Sequence, residues 1–129
     1  MTEFTVRMAN APGMLAALAE RLDEAGIHLE AVAAFGAGAR GIVHLVVTEA
    51  AATRSVLRDA GMSFEERPVL TTAIPAHTGA LAAMARRLAD TGVNIEALYL
   101  LRASAEGMEF AVAVDRPDAM PTASKDAVS

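Results

Sequence analysis

The sequence predicts an α+β fold, a ferredoxin-like βαββαβ sandwich duplicated in tandem, with antiparallel strands and with helices on one face. The first observation behind this prediction is the order of apolar patterns along residues 3–74, which reads strand, helix, strand, strand, helix, strand. The second is a repeat of the chain's beginning, shifted by 66 residues. Because the repeat stops early, we predict that the second copy is truncated.

The first copy begins with a strand over residues 3–9, in which Phe4, Val6 and Met8 alternate with less apolar residues. Apolar residues then recur at helical spacing, which predicts a helix over residues 12–25, and Gly26 is expected to end it. The residues predicted to face the core from this helix are Leu15, Leu18, Ala19, Leu22 and Ala25.

The remaining elements of the first copy follow from the same reasoning. A strand over residues 27–35, with alternate residues from Ile27 to Phe35 on one face, and a β-branched strand over 42–47 are expected to form a hairpin. A helix is predicted over 49–60, a strand over 62–67 and an extended segment over 69–74, with Pro68 breaking the chain between them. The residues expected to face inward from the second helix are Ala52, Val56, Leu57 and Ala60.

The second copy is recognised by aligning Gly79 with Gly13, which gives 10 identities over the 19 positions from 13 to 31. Strands are predicted over 93–101 and 108–114, but the chain after Asp115 is too short and too rich in proline for another helix and strand. We therefore predict a first domain over residues 1–68, a second over 69–120 that lacks its last helix and strand, and a tail over 121–129.

Composition excludes several functional classes. A net charge of −5 and a pI near 5.1 argue against nucleic-acid binding. No apolar run is long enough to cross a membrane, and the first residues lack the basic start of a signal peptide, so a cytoplasmic protein is expected. Without cysteine there is neither a disulfide nor a thiolate, and no cofactor-binding motif occurs, so no cofactor is predicted.

The loop Asn10-Ala11-Pro12-Gly13-Met14-Leu15 joins the first strand to the first helix. Asn10 suits the helix N-cap or the turn before it, and Pro12 suits the first helical position. Gly13 has no side chain, so a ligand can approach the free N–H groups at the positive end of the helix, where a carboxylate is favoured. The alternative is a purely structural role, because a capped helix start with proline and glycine is common in many folds.

This loop resembles the N-x-P-G-hydrophobic-hydrophobic loop of the ACT domain, a small regulatory module that binds amino acids. The segment Gly92-Val93-Asn94-Ile95 likewise resembles the start of that family's second strand. The resemblance covers about residues 3–115. It implies that ligands lie where the first-helix loop of one copy meets the second strand of the other.

Two unequal sites follow from this resemblance. The first comprises Asn10, Ala11, Pro12, Gly13, Met14 and Leu15 from the first copy with Asn94 and Ile95 from the second. The second, weaker site comprises Ala76, His77, Thr78 and Gly79 with His28 and Leu29. In the second site Ala76-His77-Thr78 replaces the Asn-x-Pro pattern, so this loop departs from the family's amino-acid-binding loop.

A zwitterionic ligand matches this chemistry. Its carboxylate needs N–H donors, which the start of the helix provides, and its ammonium group needs acceptors such as an asparagine oxygen and strand carbonyls. The candidate pocket walls are apolar, which favours a small or aliphatic amino acid. These candidate wall residues are Met14, Leu15, Ala80 and Leu98.

Other candidate residues point to weaker readings. Three histidines without cysteine are too few for a convincing metal site, so none is predicted, and His44 in an apolar strand suits a hydrogen-bonded structural role. Glu30 and Glu96 are related by the duplication and are expected to be solvated or interfacial rather than a catalytic pair. Arg86 and Arg87 suit the wet face of a helix. No catalytic constellation is found.

Two hypotheses result. The first is a regulatory protein that senses a free amino acid and passes its occupancy to a partner. The second is a regulatory or interaction subunit of an amino-acid biosynthetic enzyme whose ligand site is vestigial. An enzyme in its own right is a weaker third reading. The truncated second copy leaves a sheet edge that a twin chain can cover, so a homo-oligomer, such as a homodimer, is expected.

Overall fold

The computed structural model describes residues 1–119 and divides the chain into two compact units. The first unit is Met1–Pro68, and the second begins at Val69. Within residues 1–119 no helix is long and apolar enough to cross a membrane, since the longest have 11 residues and a span needs about 20.

The first unit is a four-stranded antiparallel sheet with two helices. Its elements in chain order are β1 (Thr2–Ala9), α1 (Met14–Glu24), β2 (Leu29–Ala37), β3 (Arg40–Val47), α2 (Ala50–Asp59) and β4 (Ser63–Pro68). The strand order is β2-β3-β1-β4. Within β1, Phe4 and Val6 pair with Leu45 and Val43 of β3, and all four side chains are buried in one core.

The second unit is a three-stranded antiparallel sheet in the order β5-β7-β6. Its elements are β5 (Leu70–Ile74), α3 (Ala80–Asp90), β6 (Ile95–Ser104), β7 (Gly107–Val114) and a short 3-10 helix, Pro117–Ala119. Its core contains Met84, Leu88, Phe110 and Val112. In the described part of this unit, no element corresponds to α2 or β4.

Helix α1 ends as predicted, at Gly26. Ala25 is the C-cap of α1, Gly26 has a φ of +72°, and its N–H donates to the carbonyl of Asp23 at 2.9 Å. The Ile27 N–H donates to the carbonyl of Leu22 at 3.0 Å, which completes a Schellman motif. Helix α3 ends in the same bonding pattern, with Gly92 at a φ of +74°.

The core-facing stripe of α1 is narrower than predicted. Leu18 and Leu22 are buried, but Leu15 is 46% exposed, and Ala19 and Ala25 are also exposed. Leu15 shares the face of Leu18 and Leu22, but it lies in the first turn and borders an open cavity. Within the residues that the structure describes, only the middle of this stripe is fully covered.

The inward face of α2 also differs from the prediction. Ala52 is exposed, and Thr53 is fully buried instead. The Thr53 hydroxyl donates to the carbonyl of Glu49 at 2.8 Å, so its polar group is satisfied by the preceding turn. Thr53 therefore occupies the core position that the hydrophobic pattern assigned to Ala52.

Strand β2 does not keep one alternating face from Ile27 to Phe35. Its register with β3 shifts between Leu29 and Ala31, and the register of β6 with β7 shifts at the same place, between Ile95 and Ala97. The extra residue at each bulge, Glu30 or Glu96, reverses which later residues face the helices. In β2 these later helix-side residues are Val32 and Ala34, whose partners Leu45 and Val43 lie in the core.

The contrast between Leu22 and Leu15 gives a stability prediction. Leu22→Ala leaves a cavity in a packed core and should lower the free energy of unfolding of the first unit by about 2 to 5 kcal/mol. Leu15→Ala is the matched control on the same helix face and should cost less than about 1 kcal/mol, because its side chain is half exposed. Urea denaturation followed by circular dichroism measures both, and equal losses would contradict this burial pattern.

An ion pair between α2 and β4 gives a pH prediction. Arg54 donates two hydrogen bonds to the Glu66 carboxylate, at 2.7 and 2.6 Å. These bonds and the guanidinium charge hold the pKa of Glu66 below its usual value, and the same bonds and the carboxylate charge raise the pKa of Arg54. Since the folded pKa of Glu66 is the lower one, its stabilisation is present above the unfolded value of about 4.3 and is lost as the pH falls through the folded pKa.

Glu66→Gln should therefore lower stability near neutral pH and make progressively less difference in acid. The effect should be small, because both side chains are about one-third exposed to solvent. Urea denaturation of the wild type and the variant across this pH range tests it, with Glu20→Gln as the control. A loss that is the same at every pH would show that the carboxylate charge contributes nothing.

Candidate functional site

The β1–α1 loop begins the helix later than the sequence suggested. The N-cap is Gly13, in the left-handed conformation with a φ of +83°, and Met14 is the first helical residue. Pro12 therefore lies in the turn before the helix and not at its first position, and Asn10 is not the cap. Position 13 requires glycine because its φ is positive. Crowding is not the reason, since the space around it is open.

This geometry leaves hydrogen-bond donors at the helix start. The Met14 N–H contacts the carbonyl of Ala11 at 3.3 Å, and the first helical bond runs from Ala17 to Gly13 at 2.9 Å. The N–H groups of Leu15 and Ala16 have no partner within the helix, and among residues 1–119 no side chain caps it. These donors and the helix dipole together give a site of positive potential.

Asn10 ties the loop to the β2–β3 hairpin of its own unit. Its backbone N–H donates to the carbonyl of Ala39, and its side-chain Nδ2 donates to the carbonyl of Gly38, both at 2.9 Å. The side chain lies against Gly36, where a Cβ would be only 2.7 Å from Nδ2. This role of Asn10 was not predicted from the sequence, although the glycine-rich hairpin tip is a signal that another group packs closely there.

A cavity of about 150 Å³ opens between this loop and the hairpin. It is lined mostly by apolar side chains and by exposed loop backbone. The lining residues are Met8, Ala9, Asn10, Ala11, Met14, Leu15, Ala34, Phe35, Gly36, Gly41, Ile42 and Val43. Of the predicted pocket walls, Met14 and Leu15 line this cavity, whereas Ala80 is buried in the core of the second unit.

The corresponding loop of the second unit has the same backbone. Gly79 is the N-cap of α3 with a φ of +89°, and the Ala83 N–H donates to its carbonyl at 2.9 Å. The His77 Nδ1 donates to the carbonyl of Thr78 at 2.8 Å, so this ring is engaged with its own loop. The adjacent cavity is about 470 Å³, and its lining comprises Ala76, His77, Thr78, Gly79, Leu81, Ala103, Ser104 and Met108.

The predicted strand residues are held in two different ways. The Asn94 N–H donates to Asp115 Oδ1 at 2.9 Å, and the Asn94 carbonyl accepts from the Asp115 N–H at 3.1 Å. The Asn94 side chain is exposed. Ile95 begins β6 beside it and is half-buried. His28 is exposed with its Nε2 3.6 Å from Glu30, and Leu29 begins β2. Asn94 and Ile95 belong to the second unit, whereas the loop predicted to share their ligand belongs to the first. For His28 and Leu29 the assignment is reversed. Both two-unit sites therefore remain predictions.

A second polar group of residues lies on the face of the first sheet opposite Phe4 and Val6. Glu3 is 1% exposed, and its carboxylate accepts hydrogen bonds from Arg67 at 2.5 and 3.3 Å. Thr5 and His44 form a hydrogen bond of 3.1 Å, which confirms the structural role predicted for this histidine. Arg7 and Glu65 pair at 2.6 Å beside them. These residues and Glu66 line a cavity of about 380 Å³, and each of its three carboxylates pairs with an arginine, Glu66 with Arg54 outside the lining.

The described part of the chain contains no group of three or more histidines and carboxylates suited to a metal. Arg86 and Arg87 are exposed on α3, and Arg86 lies 4.0 Å from Asp90. At the β1–α1 corner the geometry offers backbone donors and apolar walls, which suit the binding of a small polar molecule with an apolar side chain.

Comparison with known proteins supports this description. The ACT domain pair family matches residues 1–122. The chain is similar in structure to protein BT0572 from Bacteroides thetaiotaomicron, with a TM-score of 0.82, 23% identity, and coverage of 91% of this chain and 81% of that one. It is also similar to the regulatory subunit of aspartate kinase from Thermus thermophilus, in a ligand-free form, with a TM-score of 0.67, 19% identity, and coverage of 86% and 81%.

No functionally curated protein matches the chain. The two structural likenesses lie below 25% identity and show the shared fold. The match to the family extends over both units and includes the two glycine-capped loops. This chain therefore belongs to the ACT domain pair family.

Proposed function

We propose that this protein is a regulatory protein that binds a free amino acid and catalyses no reaction of its own. The observation that carries the proposal is the β1–α1 corner, where unpaired backbone donors of a helix start lie beside an apolar cavity. This combination matches an α-amino acid, which has an anionic group and a side chain at one carbon atom.

The carboxylate is assigned to the first turn of α1. The N–H groups of Leu15 and Ala16 donate to it, and Gly13 leaves their approach open because it has no side chain. Binding there needs no cationic residue, since the helix dipole supplies positive potential. The ammonium group is assigned to exposed loop carbonyls that border the cavity, and the family resemblance adds the Asn94 oxygen and Ile95 as predicted ligand contacts.

The side chain of the ligand is assigned to the apolar cavity. Met8, Met14, Ile42 and Val43 lie on its walls, and none of its twelve lining residues is charged. A charged ligand side chain would lose its hydration there without gaining a partner. This favours an aliphatic amino acid.

Regulation follows if the ligand has different affinities for two states of the protein or of its complex. The partner in this proposal is a metabolic enzyme, by analogy with the similar structure described as a regulatory subunit of aspartate kinase. The family and the corner geometry support the regulatory role, and the partner's identity rests on that analogy.

A second candidate is a regulatory subunit of an amino-acid biosynthetic enzyme in which the ligand corner is vestigial. The second loop favours it, because Ala76, His77 and Thr78 replace the asparagine and proline of the first, and the His77 ring bonds to its own loop. In this alternative the fold acts only as an interaction module.

A homodimer is part of the first proposal. Strands β2 and β6 lie at the ends of their sheets and expose large apolar side chains. Val32 is 53% exposed, Phe35 61% and Leu100 53%. An end strand with apolar side chains is a template for pairing with another chain, and a second copy would cover it.

Amino-acid binding is tested by thermal unfolding of the protein against a panel of free amino acids. A ligand at about 100 times its dissociation constant should stabilise the protein by roughly 2.7 kcal/mol, and aliphatic amino acids should give the largest shift. Asn94→Ala should remove the shift, and Ser55→Ala on α2 should keep it. Equal shifts in the wild type and Asn94→Ala would count against the assigned site. A stable complex with a biosynthetic enzyme, without any amino-acid effect, would favour the second candidate.

The dimer is tested by sedimentation velocity. Val32→Lys places a charge on the end strand and should shift the protein toward the monomer, because the charge would be buried without a partner on association. Ser55→Lys is the control and should leave the mass unchanged. A monomeric wild type, or a Val32→Lys variant that still dimerises, would contradict pairing through β2.

A further inference from the structure

The turn between α3 and β6 is held by the two residues that follow β7. The Asn94 N–H donates to Asp115 Oδ1 at 2.9 Å, and the Asp115 N–H donates to the Asn94 carbonyl at 3.1 Å. The Arg116 guanidinium donates to the carbonyl of Gly92 in the same turn. We call this set of bonds from Asp115 and Arg116 to the turn the clasp.

The clasp fixes the direction in which the Asn94 side chain leaves the backbone. The Asn94 N–H belongs to the peptide group before its Cα, and the Asn94 carbonyl belongs to the peptide group after it. Because a residue has only two soft backbone dihedrals, holding both of these planar groups fixes its φ and ψ. The direction of the Cα–Cβ bond follows from these two angles. The side chain itself is exposed, so a ligand can reach it.

The equivalent turn of the first unit has no such clasp. The strand registers make His28 the counterpart of Asn94 and Thr48 the counterpart of Asp115. In the first unit, which the structure describes in full, no hydrogen bond joins His28 to Thr48. Of the two turns, the one that carries the asparagine is therefore the one held by the residues after the hairpin.

The space beside the glycine of each turn shows the same difference. A Cβ at Gly92 would lie 2.8 Å from Arg116 Nη2, whereas the equivalent space at Gly26 is open. The Arg116 side chain therefore lies directly against the turn of the second unit. Its positive charge is also favourable there, because the turn follows the C-terminal end of α3 and the helix dipole attracts a cation.

We propose that Asp115 is a positioning residue that presets Asn94 for the ammonium group of a bound amino acid. This inference rests on the proposed function, in which the family resemblance makes Asn94 a predicted ligand contact. A side chain whose direction is already set loses less conformational freedom on binding, so the affinity is higher. Because Asp115 acts through the Asn94 backbone, position 115 needs an acceptor oxygen but not a charge.

The clasp is tested without ligand, by amide hydrogen exchange of the full chain. In Asp115→Ala, exchange at the Asn94 N–H should become about fivefold faster, as expected for the loss of one net hydrogen bond from a local opening equilibrium. Asp115→Asn keeps an acceptor oxygen and should exchange there like the wild type. Thr48→Ala is the matched control and should have no effect at Asn94. Exchange at Val112, in the core of the second unit, should be the same in all variants and reports that they are folded.

Positioning is tested by calorimetric titration of the full chain with L-valine, an aliphatic amino acid. Asp115→Ala should weaken binding about fivefold, whereas Asp115→Asn and Thr48→Ala should bind like the wild type. In a protein that already carries Asn94→Ala, adding Asp115→Ala should have no further effect, because Asp115 acts only through Asn94. A merely structural role would lower the affinity in that background as well.

Unchanged exchange at Asn94 in Asp115→Ala would overturn the clasp, whatever ligand binds. Faster exchange without any change in the affinity for L-valine would overturn the positioning role. Equal losses of affinity in Asp115→Ala and Asp115→Asn would also overturn it, and would make the carboxylate charge a direct contact to the ammonium group. If exchange responds but no amino acid shifts the thermal unfolding of the wild type, the proposed function fails, and the ligand role of Asp115 fails with it.

Discussion

The left-handed backbone at the two helix starts is the constraint on which the rest of the structure depends. Gly13 and Gly79 adopt φ values near +85°, and each allows a strand to turn directly into a helix. With an ordinary L-residue this turn would be strained, because its Cβ would crowd the backbone. Since the glycine also carries no capping side chain, the first N–H groups of the helix stay available. The same residue type thus shapes the corner and leaves its donors open.

The two units show which features of the fold tolerate change. Both keep the glycine start, the Schellman end of the helix and a bulge one residue into the following strand. They differ in the side chains that tie the loop to the hairpin and in the elements after the hairpin, where the described part of the second unit has no counterpart of α2 or β4. Backbone geometry is therefore the common element, and the side chains around it set the chemistry of each corner.

Much of the fold followed from the sequence because its signals are local. Alternation and helical spacing located α1, α2 and the strands of the described residues, the repeat implied α3, and the stop at Gly26 followed from its position just after the helical pattern. The predicted start of α1 was wrong because proline suits both the first helical position and the turn before it, where Pro12 lies. The prediction that Leu15 and Ala52 face the core was wrong. Periodicity shows which residues share a helix face but not how far neighbouring elements cover that face. The bulge at Glu30 could not be predicted, since a glutamate also occurs at exposed positions of regular strands.

The sequence indicated the loop of the candidate site but not the hydrogen bonds that hold this loop in place. The loop from Asn10 to Leu15 was evident from residue types alone, and the apolar walls from Met14 followed. The bonds from Asn10 to Gly38 and Ala39 depend on a hairpin 28 or more residues away, which no local pattern reports. The burial of Glu3 against Arg67 is equally non-local, because it needs β1 and β4 to be neighbours.

The duplication within one chain has a consequence for evolution. In a symmetric assembly of identical subunits, every substitution is copied to all equivalent positions, so the sites change in unison. Here the two corners are encoded separately. Asn10 and Gly36 can be kept while Ala76 and Ala103 drift, so one corner can keep its hydrogen bonds while the other acquires different side chains.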